Sequence, residues 1–224
     1  MTLHSAASQR LMEMLHLLLE HFGSQEWWPG ETPLEIMVGA VLTQNTNWQN
    51  VEKAIDRLKK EGLLSFDRLQ RMQAEVLAEK IRPAGYYNIK AKRLKNLLDF
   101  IRKECEGDLE RLAQVDTGRL RQGLLSVKGV GPETADSILL YAFQRPVFVI
   151  DAYTWRILSR HGIMDEPVTY DELQSYFMDN LPEDPDLFNE FHALIVMTGK
   201  NYCRKKPLCD RCPLGHWGPV SPLS

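Results

Sequence analysis

The sequence has no apolar run approaching the roughly 20 residues that a membrane helix requires. Its first ten residues also lack the basic start and apolar stretch of a secretory leader. Both absences lead to the expectation of a cytoplasmic chain without membrane partners. A surplus of positive charge is missing too. With 27 Lys and Arg against 30 Asp and Glu the formal charge is −3, so any grip on a polyanion must come from local clusters rather than from a global field. Strand signals are almost absent. The one β-branched run, Val147 to Ile150 after Pro146, has no partner run and reads as a buried extended connector. No fixed-period repeat and no low-complexity stretch occurs, which excludes solenoid and linker architectures, and only the tail from Pro213 to Ser224 looks irregular. Cysteine is scarce, four in 224 residues, and unevenly placed, with Cys105 alone and Cys203, Cys209 and Cys212 within ten residues. In a reducing compartment such a cluster reads as a metal site before it reads as disulfides.

What is present is helical. Leu11, Leu15, Leu18, Leu19 and Phe22 recur at i, i+4, i+7, i+8 and i+11, the stripe of an amphipathic helix, and Gly23 suits its C-cap. Similar periodicity runs through Leu34 to Leu42, Val51 to Leu58, Leu77 to Ile81, Ile89 to Ile101, Ala135 to Phe143 and Tyr153 to Leu158. Glycine and proline punctuate these segments. The expected fold class is all-α.

Between Leu125 and Asp136, Gly129 and Gly131 stand just before Pro132, a residue suited to the first position of a helix. This is a tight turn feeding a helix. Glycine permits close approach to a ligand, and the helix start offers free N–H groups and a positive dipole end, a ready anion site. Lys128 adds a point charge. The same pattern also serves as a plain helix-helix turn. Asp151 follows the apolar connector and precedes the helical stretch from Ala152 to Leu158. It suits an N-cap and equally a catalytic carboxylate, and the two roles are compatible.

Val127 to Ala135, Val147 to Ile150 and Asp151 together resemble the signature of the helix-hairpin-helix superfamily of DNA glycosylases, a hairpin V-x-G-V-G-x-x-T-A followed by an apolar run and an Asp. Val41 to Thr46 and Gly85 to Ala91 resemble its endonuclease III branch, so the likeness covers roughly residues 30 to 212. Glu26 to Pro29, the Gln44, Asn45 and Thr46 turn, and Arg82 to Leu94 are similar to the bacterial 3-methyladenine DNA glycosylase III group. The resemblance implies two helical subdomains with the active site in the cleft between them. Residues 25–137 would form a helical barrel carrying the hairpin, and residues 1–24 plus 138–224 a second subdomain carrying the cysteine loop. It further implies a monomeric base-excision enzyme of the bacterial cytosol and nucleoid. Such an enzyme acts on double-stranded DNA containing a damaged base and needs no nucleotide cofactor.

By the same resemblance Asp151 is the catalytic carboxylate. Endonuclease III enzymes use a lysine in the first turn after the hairpin as an amine nucleophile that forms a Schiff base and cuts the strand. This chain has Glu133 there. A carboxylate cannot form that imine, so the expectation is a monofunctional glycosylase without AP lyase activity that leaves an abasic site. An alkylated purine such as 3-methyladenine already carries positive charge and leaves with little acid catalysis. Aromatic faces that attract a cation, worth about 0.5–2 kcal/mol, would choose it. Trp27, Trp28 and Trp48 are the candidates, with Pro29 walling the pocket. Trp28 and Pro29 match residues that stack on the flipped base, and Trp48 the opposing wall. Lys200 matches a pocket lysine that this family can carry carbamylated.

Extraction of a base from the stack costs a few kcal/mol and calls for a plug and a grip on the flanking phosphates. Gln44, beside Asn45, resembles the plug. Lys90, Lys92, Arg93 and Lys95 form a local basic cluster, and Lys128, Gly129, Val130 and Gly131 form the hairpin contact. Two other readings stand beside this one. The fold could serve a mismatched or oxidised base, or the chain could be a non-catalytic DNA-binding protein in which Asp151 is only a cap.

Cys203, Cys209 and Cys212 resemble the C-terminal iron–sulfur loop of the endonuclease III branch, which holds a [4Fe-4S] cluster with four cysteines. The first gap is one residue shorter here, and the place of the fourth cysteine, separated from Cys212 by five residues, is Gly218. Two possibilities remain open. His216 or another ligand completes a cluster, or the loop packs without metal.

Overall fold

The structure, a computed structural model, describes residues 5–25, 27–164 and 168–218. The first four residues, Glu26 and the end of the tail lie outside the described residues. In chain order the helices are α1 (Ala6–Phe22), α2 (Pro33–Leu42), α3 (Trp48–Lys60), α4 (Phe66–Arg71), α5 (Ala74–Lys80), α6 (Tyr87–Cys105), α7 (Leu109–Ala113), α8 (Thr117–Ser126), α9 (Pro132–Ser137), α10 (Ala152–Arg160), α11 (Tyr170–Met178) and α12 (Pro185–Asn201). Among the described residues there is no strand, and no helix is long and apolar enough to cross a membrane. The protein has an all-α fold.

The chain divides into two compact units, Pro29–Arg145 and a discontinuous one made of Met1–Trp28 with Pro146–Ser224. The division falls after Arg145 rather than after residue 137 because Ile138–Ala142 stays packed against α2. In that segment the helix widens into a π-type turn. Arg145 closes the unit by donating from its guanidinium to the carbonyls of Ala113 and Val115.

In the Pro29–Arg145 unit α2 is the hub. Every residue from Leu34 to Leu42 is buried, the all-round apolarity of a helix surrounded by others. Thr32 starts it by accepting the Glu35 N–H at 3.2 Å, with Pro33 at the first position. Around it α3 buries only Val51, Ala54, Ile55 and Leu58, the i, i+3, i+4, i+7 stripe of an outer helix. The two hairpin helices, α8 and α9, are tied by a bidentate ion pair from Arg121 to the fully buried carboxylate of Asp136, at 2.7 and 3.1 Å.

The other unit is built on α1, α10, α11 and α12. In α1 the stripe Leu11, Met14, Leu15 and Leu18 faces the core, and Gly23, at φ +71°, ends the helix by donating its N–H to the Leu19 carbonyl at 2.8 Å. The extended connector from Val147 to Ile150 runs through this core, all four residues buried. Its Phe148 stacks on Phe177 with ring centroids 3.9 Å apart and meets Phe188 and Phe191 edge-on. Helix α11 satisfies the connector's lone backbone groups: Gln174 donates to the Phe148 carbonyl at 2.7 Å, and the Ile150 N–H donates to the Tyr170 hydroxyl at 3.3 Å. Replacing Gln174 by Met leaves that buried carbonyl unpaired while keeping the side-chain volume. The expected loss is about 1–3 kcal/mol of unfolding free energy, measured by urea denaturation.

Candidate active site

The connector ends at Asp151, whose backbone is still extended (φ −128°, ψ 179°) when it caps α10. Its Oδ1 accepts the Thr154 N–H at 2.7 Å and the Thr154 hydroxyl at 2.9 Å, a reciprocal capping box. Oδ2 lies 3.8 Å from Nε2 of His192 on α12. His192 is buried, and burial holds its pKa below the ordinary histidine value, reinforced by Lys200 and opposed by the Asp151 charge. Burial thus favours the neutral imidazole beside the carboxylate.

Lys200 is exposed near the end of α12, yet the protein around its ammonium lowers its pKa, with Asp151 pulling in the other direction. Its Nζ stands 5.6 Å from the ring centre of Trp27, over the face. Trp27 and Trp28 meet edge to face with centroids 5.6 Å apart and 79° between the planes. Asp151, His192, Lys200, Trp27 and Trp28 thus belong to one unit. Helices α10 and α12 hold them in close register, because a Cβ on Gly199 would lie 2.2 Å from the Tyr153 ring.

The hairpin and the other predicted contacts lie in the Pro29–Arg145 unit. Val127 and Val130 are buried anchors, while Lys128 and Gly131 are exposed. Only Gly129 needs to be glycine for its conformation, at φ +98°, where a Cβ would also strike the Arg93 side chain at 2.4 Å. Gly131 has an ordinary negative φ and open space beside it. Gln44 is tied to the hairpin, donating to the Gly129 carbonyl at 3.0 Å and the Thr134 hydroxyl at 2.9 Å and accepting from Arg93. Asn45 is exposed in the left-handed region at φ +53°. Trp48 opens α3, half-buried, and Glu133 is exposed in the first turn of α9. Pro29 is exposed at the start of this unit.

Two members of the expected basic cluster do not face solvent as donors to phosphate. Lys90 is 1% exposed. Its ammonium donates to the Leu42 and Ala84 carbonyls, each at 2.8 Å, and burial pushes its pKa down to about 8, with Arg93 adding to the shift. It is a structural tie between α2 and α6 and is withdrawn from the DNA-contact set. Lys95 donates to the Leu69 and Gln70 carbonyls near the end of α4. Lys92 and Lys128 remain exposed. The sequence reading missed His192, whose one signal is a polar ring in the otherwise apolar run from Phe191 to Val196. It also missed Tyr86 and Ile89, 69% and 52% exposed, at the start of α6.

The three clustered cysteines lie in the discontinuous unit and line one cavity with Arg160, His161, Ile157 and Leu214. Among the described residues no group of three His, Cys, Asp or Glu side chains converges as a single metal ion needs. The three cysteines share the cavity wall, but the side chains present there do not form a metal-holding group among the described residues. His216 is exposed and does not line the cavity.

A family model described as the HhH-GPD superfamily of base excision DNA repair proteins matches residues 38–183. The chain belongs to the HhH-GPD superfamily. A protein provisionally named a DNA repair glycosylase in Methanocaldococcus jannaschii is 51% identical over 92% of this chain and 94% of its own length. An endonuclease III of Sulfolobus acidocaldarius is 30% identical over 79% of this chain and 77% of its own. The Helicobacter pylori 3-methyladenine DNA glycosylase, solved bound to 1,N6-ethenoadenine, is 33% identical, covers 87% of this chain and 97% of that one, and superposes with a TM-score of 0.74. The protein is a DNA glycosylase of base excision repair.

The glycosylase's two classes of lysine are separable by experiment. Lys128→Ala or Lys92→Ala should weaken duplex binding and lower its salt slope by about 1 for each phosphate no longer neutralised, read by fluorescence anisotropy across a salt series. Lys90→Met should leave that slope unchanged and destabilise the fold. Because the folded pKa of Lys90, about 8, lies below its ordinary 10.5, the unfolded chain binds more protons in between. The stability of the wild type relative to Lys90→Met should therefore rise as pH climbs from about 8 to 10.5 and be lost as it falls back, in urea melts.

Proposed function

We propose that the enzyme is a monofunctional glycosylase that hydrolyses the N-glycosidic bond of alkylated purines, 3-methyladenine-like bases, and leaves an abasic site. The observation that carries the substrate class is the pairing of indoles with a cation. The face of Trp27 already attracts the Lys200 ammonium, and the electron-rich surface that does so suits a purine made cationic by alkylation. Trp28 is the stacking partner, with Pro29 and Trp48 as further contacts to the base. The likeness to the Helicobacter pylori protein, a 3-methyladenine DNA glycosylase, supports the same class.

Asp151 performs the chemistry. Thr154 fixes one of its oxygens, and His192, whose neutral form burial favours, stands 3.8 Å from the other. A fixed anion stabilises the oxocarbenium-like sugar that forms as the base departs, and it orients the attacking water. The departing base takes the bonding electron pair, which cancels its positive charge, while water adds to the sugar carbon and gives up its extra proton to solvent. Glu133 supports the monofunctional reading, since the first turn after the hairpin offers no amine. The exposed Lys128 and Lys92, with the hairpin N–H groups, hold phosphate, and Gln44 with Asn45 fills the gap left by the base.

One observation favours a second reading. Lys200, with its pKa lowered and within electrostatic range of Asp151, is an amine able to form an imine with the opened sugar. Carbamylation of Lys200 would remove that ability.

Duplexes carrying 3-methyladenine, uracil or thymine mismatches, or oxidised bases separate these readings. The expected outcome is release of the alkylated purine, with strands cut only after alkali. Asp151→Asn should slow release at least about 100-fold, and Trp28→Ala should raise KM for the alkylated base more than for any other. Preference for the mismatch or oxidised duplexes sinks the alkylpurine assignment, and borohydride trapping of the wild type but not of Lys200→Met sinks the monofunctional one.

A further inference from the structure

Ser24, Gln25, Trp27 and Trp28 stand outside any helix, so their placement depends on side-chain ties. Helix α1 is closed by its own neighbours. Gly23 donates its N–H to the Leu19 carbonyl at 2.8 Å, and the Gln25 side-chain amide donates to the Phe22 and Gly23 carbonyls at 3.1 and 3.0 Å. A second set of bonds fixes the same residues sideways. Glu190, on α12, accepts the Ser24 hydroxyl on Oε2 at 2.8 Å and the Gln25 backbone N–H on Oε1 at 2.9 Å. Both oxygens of one carboxylate are thereby committed to two consecutive residues, at charge-assisted distances. Since α1 is already capped, what Glu190 adds is a fixed position against α12.

Trp27 lies two residues beyond Gln25. A chain advances at most about 3.6 Å per residue, so the Trp27 backbone stays within about 7 Å of the clamped Gln25. The Trp27 ring then meets a second group from α12, the Lys200 ammonium 5.6 Å from its centre, and Trp28 packs edge to face on it. The same helix carries His192, 3.8 Å from the Asp151 carboxylate. Helix α12 thus relates the indoles to the carboxylate within one unit. A recognition surface ordered before its ligand arrives is spared that ordering on binding.

We infer that Glu190 is a positioning residue for base recognition: its carboxylate clamps Ser24 and Gln25 to α12 and so fixes Trp27 and Trp28 before the flipped base arrives. The inference rests on the reading of those two indoles as the stacking surface. Glu190 serves affinity for the base and not bond cleavage, because Asp151 is held separately by Thr154.

The test uses the full chain and a duplex carrying 3-methyladenine. Glu190→Ala should raise KM about 5- to 10-fold, as expected when one or two side chains must be ordered on binding, and leave kcat within about 2-fold. Ser24→Ala removes one of the two bonds without touching α12 and should raise KM less. The double variant should be no worse than Glu190→Ala alone. Glu190→Gln, whose amide oxygen still accepts one bond, should recover part of the affinity. Without substrate, acrylamide should quench tryptophan fluorescence more strongly in Glu190→Ala than in the wild type, and that increase should vanish in a Trp27→Phe, Trp28→Phe background. If Trp28→Ala raises KM, then an unchanged KM in Glu190→Ala, a fall in kcat at unchanged KM, additive losses in the double variant, or unchanged quenching overturns the inference alone. Trp28→Ala without effect on KM, or no release of 3-methyladenine, overturns the stacking reading and the inference with it.

Discussion

Four residues with neither helix nor sheet to pair their backbones, Val147 to Ile150, are carried through the core of one unit, and the placement of Asp151 depends on where they end. Buried peptide groups must find partners, and helix α11 provides them through Gln174 and Tyr170. The stacked Phe148 and Phe177 prevent the segment from sliding. The next residue is Asp151. A carboxylate on a surface loop would sample many positions, whereas this one is fixed from behind by the connector and from ahead by the first turn of α10.

The charges around Asp151 follow from that rigidity. Burial favours the neutral form of His192 even though a carboxylate stands beside it, and it weakens the proton affinity of Lys200. In the Pro29–Arg145 unit the logic is different. There the Arg121 and Asp136 pair clamps the hairpin helices, and Arg93 and Gln44 lie against the Gly129 turn. The hairpin is held by polar ties made by side chains from earlier in the chain, and Lys128 and Gly131 stay exposed.

Much of this was legible in the amino-acid sequence. The apolar stripes of α1, α2 and α3, the glycine turn before Pro132, the unpaired run before Asp151 and the capping role of that Asp are all local patterns, and local steric and hydrogen-bonding rules suffice to read them. Lys90 was misread because a basic residue in a basic run looks solvated, and nothing in its neighbours says that two carbonyls, one of them on α2, wait for its ammonium. The division between the units was displaced to Arg145 because the contact of Ile138–Ala142 with α2 is long-range. His192 went unread for the same reason, since the Asp151 it stands beside lies far away in the chain.

By itself the sequence determined the all-helical class, the apolar stripes of several helices though not of α4, α7, α11 or α12, the residue types available for chemistry and, through its motifs, the family. Those properties depend on side-chain periodicity and on caps within a few residues. Tertiary structure alone decided which of the available charges are neutralised. It turned Lys90 into a structural tie and favoured the neutral form of His192 beside Asp151. Desolvation and the distances between side chains set those outcomes, and both arise only when helices remote in sequence are packed together.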